Sequence, residues 1–123
     1  MIRDQIDGRA PEIFAQSIDG SDYFQNFTQL ESPVLIYFFA EWCPICKVQH
    51  SVIENINQDY LVIGIAMQSG SLMDVKNYVK DRGITFDVFN DQFGGLSSKF
   101  GVHGVPATFI VDTQGDIRFS TRG

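Results

Sequence analysis

Val34-Leu35-Ile36-Tyr37-Phe38-Phe39-Ala40-Glu41-Trp42-Cys43-Pro44-Ile45-Cys46-Lys47 decides the reading of this chain: seven apolar residues run unbroken into the only two cysteines of its 123 residues. A continuous apolar run without period marks a strand covered on both faces, central in its sheet. Pro44 suits the first turn of a helix, where its missing N–H costs nothing. A strand therefore ends, the chain turns, and a helix begins at Cys43. Its sulfur sits where unpaired backbone amides and the helix dipole favour negative charge. Free cysteine titrates near pH ~8.5, and helix N-termini or C-x-x-C contexts can lower that to roughly 3.5–7.5, which makes a thiolate nucleophile at neutral pH. The spacing also lets Cys46 bridge back, so the pair predicts a dithiol that cycles with a disulfide.

Outward from this stretch, Ile45, Val48, Val52, Ile53 and Ile56 follow helical spacing and predict the buried stripe, with Gln49 near it. On a helical wheel Cys43, Cys46 and His50 share one flank, and His50 reads as a surface residue rather than a catalytic base. Upstream, residues 12–18 and the turn Asp19-Gly20 predict a short hairpin, and residues 25–31 a brief helix broken at Ser32-Pro33. Downstream, Leu61–Met67 predicts a second buried strand, and Ser71-Leu72-Met73-Asp74 a capping box opening a helix that ends at Arg82-Gly83. Strand, helix and strand imply a parallel crossover. Phe86–Phe89 reads as a short strand, and Leu96 with Phe100 as one or two helical turns closed by Gly101. Pro106–Val111 and Asp116–Ser120 read as strands joined by a turn at Asp112-Thr113-Gln114-Gly115. Phe14, Phe24, Phe38, Phe39 and Phe109 are assigned to the core.

Composition narrows the function classes. The length, 44% apolar and 20% charged residues fit one globular α/β domain spanning residues 1–123, large enough to form a core without disulfide staples. A net charge of −6 with nine scattered Lys and Arg argues against nucleic acid as a partner. Seven apolar residues fall far short of the ~20 that cross a bilayer, so no membrane contact is expected of the segment, although a removed N-terminal anchor is compatible with it.

The order of elements, with Trp42-Cys43-Pro44-Ile45-Cys46 and the distant Gly104-Val105-Pro106-Ala107-Thr108-Phe109, resembles the thioredoxin-like fold. Within it, the chain is similar to the TlpA/ResA/CcmG branch of thiol-disulfide oxidoreductases, including suppressor-of-copper-sensitivity D and protein disulfide oxidoreductase types. The resemblance spans about residues 10–122. It implies an N-terminal hairpin, a central strand-helix insert at roughly residues 61–89, and a periplasmic or extracytoplasmic location. It also implies a cis Val105-Pro106 bond beside the cysteines. Cys43 would attack a disulfide and Cys46 resolve it, with Trp42, Pro44, Ile45, Val105 and Pro106 lining the substrate groove and no cofactor or metal required. Protein thiols or disulfides, with an upstream redox donor or acceptor, would be the partners. The C-terminal helix of the fold is missing after Thr121-Arg122-Gly123, which implies a shortened chain or a face covered by another chain.

Two departures carry weight. Where thioredoxins bear a buried Asp this chain has Tyr37, and where many TlpA-like proteins bear a Glu it has Gln49, so resolution by Cys46 is expected to be slow. The alternative function is a copper or zinc carrier using Cys43, Cys46 and a histidine, His50 or His103.

Overall fold

A computed structural model of the chain describes residues 8–20, 22–27 and 30–122. The strands are β1 (Gly8–Arg9), β2 (Ile13–Ser17), β3 (Asp22–Gln25), β4 (Val34–Phe39), β5 (Leu61–Met67), β6 (Asp87–Asp91), β7 (Ala107–Val111) and β8 (Asp116–Arg122). Among the described residues the helices are α1 (Pro44–Asn57), α2 (Leu72–Arg82) and α3 (Gly95–Lys99). The strands form one sheet in the order β1-β8-β7-β4-β5-β6-β2-β3. Pairing is parallel for β4-β5 and β5-β6 and antiparallel elsewhere.

All six residues of β4 are buried, as an unbroken apolar run requires of a central strand. Its side chains alternate between two layers. Val34, Ile36 and Phe38 join Phe100, Phe109 and Leu96 of α3 on one face. Leu35, Tyr37 and Phe39 join Cys46, Ile53, Val75 and Val79 of α1 and α2 on the other. Strand β5 runs beside β4 with Gly64 opposite Tyr37. A Cβ at Gly64 would lie 2.6 Å from Phe86 Cε1, so the bare backbone makes room for that ring. The α2 capping box forms between Ser71 and Asp74, and Gly83 closes the helix in the left-handed region at φ 67°.

Three expectations change. Residues 25–31 hold no helix among the described residues: Asp22–Gln25 pairs with β2 across the Asp19-Gly20 turn, and cross-strand hydrogen bonding overrides local helix preference. Phe14 is 68% exposed, because period-2 alternation in β2 sends Ile13 to the core and its neighbour outward. The Phe24 side chain lies outside what is described. Of the stripe expected on α1, Ile53 is buried and Ile56 half-buried but Ile45, Val48 and Val52 are exposed, and the buried stripe is Cys46, His50 and Ile53. Both sets have helical spacing; the seating of Cys46 against the sheet selects between them.

Candidate functional site

The site stands where β4 and β5 end and α1 begins, at the carboxyl edge of parallel strands. Hydrogen bonds pin the two strand ends together. The Glu41 amide donates to Ser69 Oγ at 2.9 Å, whose hydroxyl donates to the Met67 carbonyl at 3.1 Å. Trp42 Nε1 donates to the Gln68 carbonyl at 3.0 Å, holding a half-exposed indole at the rim of the site.

Cys43 is the N-cap of α1, with extended backbone at φ −99° and ψ 109°, and Pro44 occupies the first turn. Its sulfur accepts the Cys46 amide at 3.2 Å, which satisfies one of the orphan donors of the helix start. The same sulfur lies 3.6 Å from the Val105 carbonyl, to which its thiol donates. Val105-Pro106 is cis, as the resemblance implies. Val105 is half-buried and Pro106 buried, while Pro44 and Ile45 are exposed beside the cysteine. The fold therefore brings Trp42, Cys43, Pro44, Ile45, Cys46, Val105 and Pro106 to one end of the molecule.

Both thiols are free, and Cys46 is fully buried beneath Cys43. Burial first, and then its hydrogen bond with the Cys43 sulfur, pushes the Cys46 thiol well above the ordinary range. The Ala40 backbone, and after it the neighbouring Tyr37 hydroxyl, act in the opposite direction. Tyr37 is itself fully buried, and its hydroxyl donates to the Cys46 carbonyl at 3.3 Å and meets His50 Nδ1 at 3.0 Å. His50 Nε2 meets the Tyr78 hydroxyl at 2.7 Å.

His50 is thus a buried residue, contrary to the surface reading. The ring stands edge-on to Phe39 at 5.2 Å, and burial, reinforced by the Arg82 charge, lowers its pKa to about 4. Tyr78 on α2 is the partner that sequence reading missed. No spacing rule links residues 28 positions apart on different helices. These contacts engage both imidazole nitrogens, which leaves the copper or zinc alternative without His50 as third ligand, while His103 lies exposed. Among the described residues no three His, Cys, Asp or Glu side chains gather as a metal site.

The comparisons with known proteins agree with this geometry. The chain is 31% identical over 114 residues to the thiol:disulfide interchange protein DsbE of Pasteurella multocida, covering 91% of this chain and 60% of that protein. It spans about 60% of the length of the first curated relatives it matches, the Haemophilus influenzae DsbE included. The structure of MTB dsbF, in mixed oxidised and reduced forms, superposes with a TM-score of 0.77 at 25% identity, over 100% of this chain and 89% of that one. A secreted Mycobacterium tuberculosis disulfide oxidoreductase homologous to E. coli DsbE gives 0.76 at 20% identity, over 90% and 83% of the two chains. With a thioredoxin-like fold, a Cys43/Cys46 pair at the start of its first helix, and the AhpC/TSA family pattern matching residues 6–120, the chain belongs to the AhpC/TSA family.

Proposed function

We propose that the chain is a thiol-disulfide oxidoreductase that exchanges the Cys43/Cys46 dithiol with disulfides of other proteins. The observation that carries this reading is the unequal setting of the two sulfurs. Cys43 caps a helix with its sulfur held by an amide, whereas Cys46 is sealed beneath it and kept protonated by burial. Cys43 attacks a substrate disulfide, a mixed disulfide forms, and Cys46 displaces the substrate sulfur; the reverse sequence oxidises a dithiol. Trp42, Pro44, Ile45, Val105 and Pro106 border the groove in which the partner segment lies. The names of the DsbE relatives support protein thiols or disulfides as substrates, with a second redox protein to reset the pair. An extracytoplasmic site of action accords with the secreted M. tuberculosis neighbour. No helix among the described residues is long and apolar enough to cross a membrane.

The test is the equilibrium potential of the Cys43/Cys46 pair, titrated in defined thiol buffers and read by mass after alkylation. Formation of an intramolecular disulfide is expected; a value below about −220 mV marks a reductant and one above about −160 mV an oxidant. A chain that never forms this bridge would overturn the reading.

A further inference from the structure

We propose that Tyr37, His50 and Tyr78 form a proton relay that carries the Cys46 thiol proton to solvent while Cys46 resolves the mixed disulfide, a role that rests on the exchange reading above. Three side chains in hydrogen-bond contact lead away from Cys46. The Tyr37 hydroxyl stands beside Cys46, 3.3 Å from its carbonyl, and reaches His50 Nδ1 at 3.0 Å; His50 Nε2 reaches the Tyr78 hydroxyl at 2.7 Å. Tyr37 is completely buried on β4, His50 is buried on α1, and Tyr78 is half-buried on α2, so the path runs from the core to the surface. A neutral imidazole linking two hydroxyls moves a proton by exchanging tautomers: it takes one at Nδ1 as it gives one up at Nε2.

The step balances. The Cys46 sulfur attacks the Cys43 sulfur, a Cys43–Cys46 bond forms, the bond from Cys43 to the substrate sulfur breaks, and the electron pair leaves on the substrate as a thiolate. The Tyr37 hydroxyl turns its proton from the Cys46 carbonyl to His50 Nδ1, and as that proton passes to Nδ1 the Cys46 proton passes to the Tyr37 oxygen. The Nε2 proton then passes to Tyr78, and the Tyr78 proton to water. No buried imidazolium has to persist, in keeping with an imidazole that resists protonation down to about pH 4. The other groups facing the path are Cys43 and Glu54 of α1, Arg82 of α2 and Glu41 at the site's edge. Burial raises the pKa of the Tyr78 hydroxyl, and the positive charge of Arg82, over the ring at 5.7 Å, acts in the opposite direction.

An aromatic disulfide, 5,5′-dithiobis(2-nitrobenzoate), separates the two half-reactions by colour. Attack by Cys43 on the reduced protein releases one thiolate and resolution by Cys46 releases the second. With the relay intact, the second release is expected to be nearly flat from about pH 6 to 8; in His50→Gln and in Tyr78→Phe it should slow at least about tenfold at neutral pH and climb about tenfold per pH unit, because hydroxide must then make the thiolate. Tyr78→Phe loses one oxygen at a half-buried position, so it decides the matter should His50→Gln fail to fold. Either variant resolving at the wild-type rate, or a wild-type rate that already climbs with pH, overturns the relay. Absence of one or both releases from the wild type would instead remove the exchange reading, and the relay with it.

Discussion

Cys43 and Cys46 lie one helical turn apart, yet only the first touches the Val105 carbonyl at the groove and only the second is completely sealed. Cys46→Ser is therefore expected to trap a mixed disulfide through Cys43, lengthening its lifetime by orders of magnitude, as read by non-reducing electrophoresis and mass. His50 yields a second prediction at this scale. Its pKa falls from 6.5 in the free residue to about 4 in the fold, so as pH drops below 6.5 the unfolded chain takes up the proton first. Its contribution is complete above that pH and is lost progressively toward pH 4, up to about 3 kcal/mol at ~1.4 kcal/mol per unit. Urea unfolding from pH 7 to 4 should show a steeper loss in the wild type than in His50→Gln, and equal slopes would count against this origin. The cysteines were legible because motif and spacing name them, and the cis bond at Pro106 because the resemblance implies it. Burial of His50 was not, since it depends on which side of α1 meets the sheet.

Helix α1 splits the stripe expected of it: Ile53 is buried and Ile56 packs partly on the core, whereas Ile45, Val48 and Val52 stay in water. Val48→Ala, at a position 75% exposed, is expected to change stability by less than about 0.5 kcal/mol, whereas Ile53→Ala should cost about 2–5 kcal/mol. Denaturant midpoints of the two variants check this directly. Helix α2 was readable to the residue, because its signals are local: Ser71 Oγ accepts the Asp74 amide at 3.3 Å and Asp74 Oδ2 accepts the Ser71 amide at 3.0 Å. Ser71→Ala should cost about 1 kcal/mol, measured in the same way. The hairpin across Asp19-Gly20 forms as its turn residues predict, whereas the brief helix expected from residue 25 onward gives way where Gln25 pairs with Ile13 of β2.

Across the whole molecule, the sheet separates an aromatic layer under α3 from the layer that seats the cysteines. Phe100 meets Phe38 and Phe109 at ring-centroid distances of 5.3 Å each, on the face away from the site. Phe100→Ala should cost about 3–5 kcal/mol, a large share of the ~5–15 kcal/mol that a domain of this size has, and calorimetry would show it. Partner-strand register likewise fixes Tyr37 opposite Gly64, leaving Phe86 space beside the ring that reaches His50. By itself the sequence determined the central strand, the cysteine helix, the crossover and the reactive pair, because period, caps and turn residues act over a few positions. Tertiary structure alone decided which stripe of α1 is buried, that Phe14 faces solvent, and that Tyr37, His50 and Tyr78 meet behind Cys46. Those outcomes depend on contacts between elements far apart in the chain, which local spacing does not encode.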